Sequence, residues 1–226
     1  MGVYNERIER VTRSKNDARI FYSRISRFYD FLEGNFERKY LQICAEKLYV
    51  KKGEVVLDIG FGTGESIIDF AQIVGDSGKV YGVDIAEGMQ YITRMKLEKK
   101  DLLDHVELIC KDAVNLSFKD DFFDKVFMSF TLELFDTPEI AKVLSECFRI
   151  LKKGGLIGVV SLSKKKINVM VNMYEWFHRL LPKIFDCRPI FVEDILNENG
   201  FKTVYSSVIS MFGLPVEIVI GEVKKQ

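Results

Sequence analysis

Apolar side chains recur along this chain with two different spacings. Between residues 1 and 50 they return every three to four positions, which is typical of amphipathic helices. From Glu54 onward, short apolar runs alternate with longer segments of helical spacing. The predicted strands in this part are 54–59, 79–84, 105–110, 123–130 and 156–162, and the predicted helices are 65–74, 87–103 and 138–151. Strands that alternate with helices predict right-handed crossovers and a parallel sheet covered on both faces.

The last third of the chain changes this order. Helical patterns stand at 168–181, which is rich in aromatic residues, and at 192–199. Two strand patterns, 201–209 and 216–223, then follow with only a short turn between them, which favours an antiparallel pair. We therefore predict an α/β fold with a doubly wound, seven-stranded, mostly parallel sheet. The sheet ends in an antiparallel hairpin, and the N-terminal helices cap its ligand site.

Composition narrows the classes of function. Lys plus Arg and Asp plus Glu each number 33, so the net charge is zero and nucleic-acid binding is not expected. Segment 1–27 is locally basic; a solvated helical face accounts for this, and contact with a substrate phosphate or a membrane surface is the alternative. The four cysteines form no C-x-x-C pair, which favours a reducing compartment without disulfides or a metal site. We expect a cytoplasmic protein, because there is no signal-type segment and no run reaches the roughly 18 apolar residues of a membrane span.

The strongest chemical signal is the segment Leu57-Asp58-Ile59-Gly60-Phe61-Gly62-Thr63-Gly64, directly after the first predicted strand. Alternate glycines let the backbone turn tightly and bring main-chain N–H groups close to a ligand. The spacing G-x-G-x-G differs from the G-x-G-x-x-G of dinucleotide-binding turns. Asp58 and Glu65 flank the turn, and each would repel a diphosphate by about 1 kcal/mol at 4 Å in water. The turn therefore favours a cationic, amino-acid-like ligand.

Two further acids stand at the carboxyl ends of the next two predicted strands. Asp84 ends the second strand, where a carboxylate can accept both hydroxyls of a ribose. Asp112 follows the third strand, where it can accept the exocyclic amine of adenine. Each acid taken alone is more often a helix cap or a solvated surface residue. Because the carboxyl ends of parallel strands share one edge of a sheet, the acids together predict a ligand site at that edge.

These residues, in this order, resemble class I S-adenosylmethionine-dependent methyltransferases. The likeness is carried by 57–64, Gly82-Val83-Asp84 with the following Ile85-Ala86-Glu87-Gly88-Met89, Asp112-Ala113, Phe123-Asp124-Lys125-Val126 and Leu151-Lys152-Lys153-Gly154-Gly155. Within the class the pattern is most similar to the ubiquinone/menaquinone-biosynthesis C-methyltransferase group (methyltransferase type 11). The resemblance implies S-adenosyl-L-methionine as the cofactor, S-adenosyl-L-homocysteine as its product and a small-molecule acceptor.

The resemblance also implies which residues bind the cofactor. Tyr29 would fold over it, the glycine turn would face its methionine part, and Ser129 would lie beside the sulfonium. The implied cofactor-binding residues are, in chain order, Tyr29, Asp58, Gly60, Phe61, Gly62, Gly64, Asp84, Ile85, Met89, Asp112, Ala113 and Ser129.

The chain departs from the family's pattern at three points. Lys153 stands where the family usually has Pro before Gly-Gly, which alters a turn, and Ala86 replaces a frequent Ser, which removes a capping hydroxyl. After the fourth predicted strand the quinone enzymes carry a basic-polar stretch, whereas this chain reads Phe130-Thr131-Leu132-Glu133-Leu134-Phe135. The acceptor is therefore expected only to be small and hydrophobic or amphipathic, as a quinol-like ring or a lipid-like molecule is.

We interpret residues 1–226 as a single methyltransferase domain, because no repeat or linker divides them. In the aromatic-rich part, His178 is the candidate general base if the acceptor must lose a proton; a packing or surface histidine is the alternative. We expect a monomer or a homodimer. The predicted parts are an N-terminal helical cap at 1–50, a cofactor-binding core at 54–163, a helical substrate-lid insertion at 164–190, and a C-terminal helix and hairpin at 191–226.

Other functions stay open as alternatives. The same cofactor site fits a catalytically silent regulatory subunit, or an enzyme that methylates protein or nucleic acid. Nucleic acid is disfavoured by the neutral charge and by Ser129-Phe130-Thr131-Leu132 in place of an Asn/Asp-Pro-Pro-Tyr element. A nicotinamide-dependent oxidoreductase is disfavoured by the spacing of the turn and by Asp58.

Overall fold

Helices and strands alternate along most of the chain. The computed structural model describes residues 8, 10–11, 13–32, 34–165, 171, 173–174, 176 and 187–225, with only the backbone described at 27–32 and 34–36. The helices are α1 (Lys15–Leu32), α2 (Gly34–Leu48), α3 (Glu65–Val74), α4 (Glu87–Lys99), α5 (Thr137–Ile150) and α6 (Val192–Glu198). The strands are β1 (Val55–Ile59), β2 (Lys79–Asp84), β3 (Val106–Cys110), β4 (Phe123–Ser129), β5 (Leu151–Leu162), β6 (Phe201–Met211) and β7 (Leu214–Val223).

The strands form one seven-stranded sheet in the order β3-β2-β1-β4-β5-β7-β6. Strand β1 pairs in parallel with β2 and β4, and β5 pairs in parallel with β4. Strand β7 lies antiparallel between β5 and β6, so β6 and β7 are the terminal hairpin. The predicted fold class is confirmed. The strand order reverses between β1 and β4, and in such sheets a ligand crevice opens beyond the carboxyl ends of the strands at that point.

Two apolar layers cover the two faces of the sheet. In β4, Val126 and Met128 face the layer that contains α5 and α6, whereas Phe127 faces the layer that contains α2 and α3. All three side chains are fully buried. A strand covered on both faces is apolar over most of its length, which is why these strands could be recognised as nearly continuous apolar runs.

Strand β5 begins earlier than the sequence predicts. Residues 152–155, predicted as a turn, lie inside the strand as a bulge, because Phe123 pairs with Leu151 whereas Lys125 pairs with Leu156. The prediction of a strand that starts only at 156 was wrong for this reason. The other predicted strands differ from the observed ones by at most two residues at either end.

The predicted insertion at 164–190 is described mainly at its two ends. Ser163 forms a parallel bridge with Ile190, and Lys164 N donates to Ile190 O at 2.9 Å. Both ends therefore meet beside the carboxyl end of β5. Within the part of the chain that the structure describes, no helix is long and apolar enough to cross a bilayer, and no three potential metal ligands cluster.

Candidate functional site

A cavity opens at the carboxyl edge of the sheet, where the strand order reverses. Its walls come from the loops after β1, β2, β3 and β4, and its roof comes from N-terminal residues. The sequence-predicted residues that line it are Gly60, Gly62, Asp84, Ile85, Met89, Asp112, Ala113 and Ser129. The roof consists of Val11, Arg13, Lys15, Ala18 and Tyr22.

The glycine turn after β1 leaves room for a ligand. Gly60 has a φ of 73°, and a Cβ at this position would lie 2.2 Å from Thr131 Oγ1, so only glycine fits. Gly62 has a φ of 52°, and a Cβ there would meet no atom within 4 Å. The turn therefore packs tightly against Thr131 at Gly60, whereas at Gly62 it borders open space in the cavity.

Asp84, at the end of β2, is oriented by the backbone. Its Oδ2 accepts a hydrogen bond from Gly62 N at 3.0 Å, and its Oδ1 accepts one from Ala86 N at 2.8 Å. Burial raises the pKa of this carboxyl to about 6, although the backbone donors oppose the shift. Each carboxylate oxygen keeps lone-pair capacity, so the group can accept two neighbouring hydroxyls without reorienting.

Asp58 lies behind the turn and does not line the cavity. The residue is 1% exposed, and Ser66 Oγ from α3 donates to its Oδ2. Burial raises the pKa of Asp58 to about 7; the Ser66 hydrogen bond opposes the shift and the nearby charge of Asp84 adds to it. Phe61 and Gly64 are also outside the cavity lining. The predicted contacts of these three residues with the cofactor stay predictions.

Asp112 lies at the β3 side of the cavity, and its carboxylate is paired. Lys15 Nζ lies 2.6 Å from Asp112 Oδ2 and 2.6 Å from Glu139 Oε1. Val114 N donates to the other oxygen of Asp112 at 3.0 Å. The sequence showed a basic N-terminus but not this pairing, because Lys15 and Asp112 are 97 positions apart.

Ser129, at the end of β4, offers a buried polar atom to the cavity. Its Oγ is buried and has no hydrogen-bond partner among the residues that the structure describes. Such a hydroxyl costs stability unless a ligand or water satisfies it. The open space over Gly62, the oriented Asp84 carboxylate and this hydroxyl together fit a ligand with hydroxyl and amino groups, as S-adenosylmethionine has.

Two predicted site residues lie outside what the structure describes. Only the backbone of Tyr29 is described, and His178 falls in the part of the insertion that is not described. Their predicted contacts stay predictions. The cavity residues that the sequence analysis missed are the roof residues and Lys111, Phe130, Thr131, Leu134, Phe135, Asp136 and Glu139. Most of these stand in the loop after β4, which the sequence singled out only as a departure from the family's pattern.

Comparison with known proteins identifies the family of this chain. A model of the ubiE/COQ5 methyltransferase family matches residues 11–188. The chain belongs to this family. The ubiquinone/menaquinone biosynthesis C-methyltransferase UbiE of Vibrio campbellii is 32% identical over 171 residues, which are 74% of this chain and 65% of that protein. The match thus spans less than two thirds of that relative's length, and the resemblance read from the motifs is confirmed at the level of the family.

Solved structures share the fold at lower sequence identity. The [4+2]-cyclase SpnF has a TM-score of 0.77 at 16% identity, with 97% of this chain and 99% of that chain covered. A SAM-dependent methyltransferase from Aquifex aeolicus has a TM-score of 0.59 at 24% identity, with 81% and 89% covered. These likenesses establish the fold alone. Since a protein named as a cyclase shares it, the activity has to be argued from the site.

Proposed function

We propose that the chain is an S-adenosyl-L-methionine-dependent methyltransferase whose acceptor is small and hydrophobic or amphipathic, such as a quinol-like ring or a lipid-like molecule. The observation that carries this proposal is the convergence of an open glycine turn with the carboxylates of Asp84 and Asp112 in one cavity. The name of the Vibrio campbellii relative assigns it to quinone biosynthesis, which supports a quinol-like acceptor.

Different residues of the cavity would bind different parts of the cofactor. Asp84 would accept the ribose hydroxyls, Asp112 would accept the adenine amine, and the main chain around Gly62 would hold the methionine part. The bound cofactor supplies a methyl group that its sulfonium has already activated. The task of the chain is then to hold acceptor and methyl in line, and orientation of this kind can supply roughly 7–11 kcal/mol.

The loop after β4 supports an apolar acceptor. Phe130, Leu134 and Phe135 line the cavity. Glu133, whose charge departs from the family's pattern, is fully buried outside the lining, and its Oε1 accepts a hydrogen bond from Leu162 N at 3.4 Å. Burial raises the pKa of this carboxyl to about 8. An acceptor in the cavity would thus contact the rings of Phe130 and Phe135 and the side chain of Leu134. These side chains suit an apolar molecule and exclude water.

The insertion at 164–190 contributes two further elements of the proposal. His178 is our candidate general base for an acceptor that must lose a proton, because a neutral imidazole can take one near neutral pH. Met173 and Trp176 are 44% and 54% exposed. This apolar surface suits contact with a membrane surface that carries the acceptor.

Transfer of labelled methyl groups tests the proposal. The purified chain would be incubated with methyl-tritiated S-adenosylmethionine and, separately, demethylated quinols, phospholipids, peptides and nucleic acids. We expect label in the quinol or lipid fraction, at a rate reduced about tenfold or more in Asp84→Ala, because the ribose hydrogen bonds are lost. The matched control is Asp76→Ala, which changes an acid whose side chain is 99% exposed, and which should keep the wild-type rate.

Each other outcome points to one of the alternatives. Label only in peptides or nucleic acids would contradict the proposed acceptor class. Binding of the cofactor without transfer to any acceptor would favour a silent binding subunit over an enzyme.

A further inference from the structure

N-terminal residues cross the cavity and are tied down on its far side. The described residues 10–11 and 13–15, which we call the N-terminal strap, lead into α1. Arg10 Nε donates to Asp136 Oδ1 at 2.8 Å, and Val11 N donates to the same oxygen at 3.1 Å. Asp136 is the N-cap residue of α5, which follows β4. The strap is thereby fixed at the β4 side of the crevice.

Lys15 fixes the other end of the strap. Its ammonium bridges Asp112, in the loop after β3, and Glu139, in the first turn of α5. The side chains of Lys15, Asp112 and Glu139 are 41%, 36% and 27% exposed, and all three residues line the cavity. One cation therefore joins two walls of the cavity at a place that solvent still reaches.

We infer that Lys15 is a positioning residue for the cofactor, which orients the Asp112 carboxylate and holds the N-terminal strap closed so that cofactor release is slow. This inference rests on the proposed function, because it takes the cavity as the S-adenosylmethionine site. Val114 N fixes one oxygen of Asp112 and Lys15 fixes the other. Without the ammonium, the Asp112 carboxylate loses its partner at one of its two oxygens, and the strap loses its ion pairs with Asp112 and Glu139.

The solvent exposure of these ion pairs predicts a dependence on salt. Partly exposed charges are screened at ionic strengths near 0.1 M, where the Debye length is about 10 Å. Opening of the strap should therefore become easier as salt is added. Asp84 is instead held by backbone N–H groups, which salt screens much less. Salt should thus accelerate release of the cofactor by screening both ion-paired ends of the strap, at Lys15 and at Arg10, whose pair with Asp136 is also partly exposed.

The dissociation rate of tritiated S-adenosylmethionine, chased with excess unlabelled cofactor, tests this inference. Lys15→Met should release the cofactor about three- to tenfold faster than the wild type at low salt and should show a weaker salt dependence, the remainder coming from the Arg10–Asp136 pair. Lys15→Arg keeps the charge and should restore the rate to within about twofold. The matched control is Arg19→Met, since Arg19 is on the same helix as Lys15, forms an exposed ion pair with Glu87 of α4 at 3.1 Å and does not line the cavity. Its release rate should equal that of the wild type.

A second variant keeps the test decisive if Lys15→Met fails to fold. Glu139→Gln removes one of the two carboxylates and leaves Lys15 paired with Asp112, so it should accelerate release by a smaller factor. Equal release rates in the wild type and in both variants, at low and high salt, would overturn the inference while leaving the proposed function intact. Failure of the wild-type chain to bind the cofactor would overturn both, so the two failures can be told apart.

Discussion

Gly60 combines two constraints that one added methyl group would violate. A Cβ there would stand 2.2 Å from Thr131 Oγ1, on a backbone with a φ of 73°. Gly60→Ala should therefore lower the free energy of unfolding by about 2–4 kcal/mol, through overpacking and left-handed strain. Gly62→Ala is the control, because its Cβ would meet open space, and it should cost only about 1 kcal/mol. Urea denaturation measures both losses, and equal values would contradict the packing of the turn.

The carboxyls of Asp58 and Asp84 should make cofactor binding depend on pH. Burial raises their pKa values to about 7 and about 6, from 3.8 in an unperturbed aspartate. As pH rises, the unfolded chain loses these two protons before the folded chain does. The contribution of these two carboxyls to the free energy of unfolding therefore falls between about pH 4 and 7. A cationic cofactor favours the charged carboxylates, so its affinity should rise between about pH 5 and 7, and binding should release protons.

Calorimetry at pH 6 in two buffers of different ionisation enthalpy measures that release. The apparent binding enthalpies should differ between the buffers in the wild type, and the difference should shrink in Asp84→Asn, which cannot ionise. An affinity that stays constant from pH 5 to 8 would argue against a cation held beside these acids.

Single residues of the site differ in how far the sequence could predict them. Asp84 and Asp112 could be placed in the cavity because Asp84 ends a recognisable strand and Asp112 stands two residues after one, and parallel strands end at one edge. Asp58 also stands near the end of its strand, yet its carboxyl turns to Ser66 beneath the turn, which depends on the position of α3. Thr131 and Phe135 carry no motif, and only the path of the loop after β4 brings them to the cavity.

At the scale of elements, Arg188 joins the end of the insertion to the loop after β4. Its side chain is 1% exposed; it donates to Glu133 O at 3.1 Å, to Thr137 Oγ1 at 2.9 Å and to Phe135 O. Arg188→Met would leave these buried acceptors without their donor, so we expect a loss of about 3–5 kcal/mol in the free energy of unfolding. Arg188→Lys keeps the charge but offers a single nitrogen, and should lose less. A loss below about 0.5 kcal/mol for Arg188→Met, measured by urea denaturation, would show that this link is not structural.

Strand β5 shows why the bounds of an element are harder to predict than its type. The residues Lys152-Lys153-Gly154-Gly155 have the composition of a turn, and Gly154 indeed has a φ of 74°. The pairing partner nevertheless continues on both sides of them, and Lys152 Nζ reaches Asp124 Oδ1 at 2.7 Å. A bulge depends on the neighbouring strand, which local composition does not report.

At the scale of the whole molecule, a mostly parallel sheet and an N-terminal cap over its ligand site could be predicted, whereas the contacts that close the cavity could not. Apolar runs separated by helical patterns specify a parallel sheet through local spacing. The N-terminal strap closes the cavity through contacts such as that of Arg10 with Asp136, 126 positions apart. Formally neutral as a whole, the chain places its basic N-terminus against acids of α5 and of the loop after β3. Charge pattern predicted the basic segment, whereas only the fold supplies its partners.

The proposed function depends on binding of S-adenosylmethionine in this cavity through Asp84. Calorimetric titration of the purified chain, wild type and Asp84→Ala, with S-adenosylmethionine, S-adenosylhomocysteine and NADH measures that binding. We predict micromolar binding of the first two ligands, weakened about tenfold or more in the variant, and no binding of NADH. Binding of NADH, or no binding of either adenosyl ligand, would contradict the assignment of the glycine turn and the proposed methyltransferase function with it.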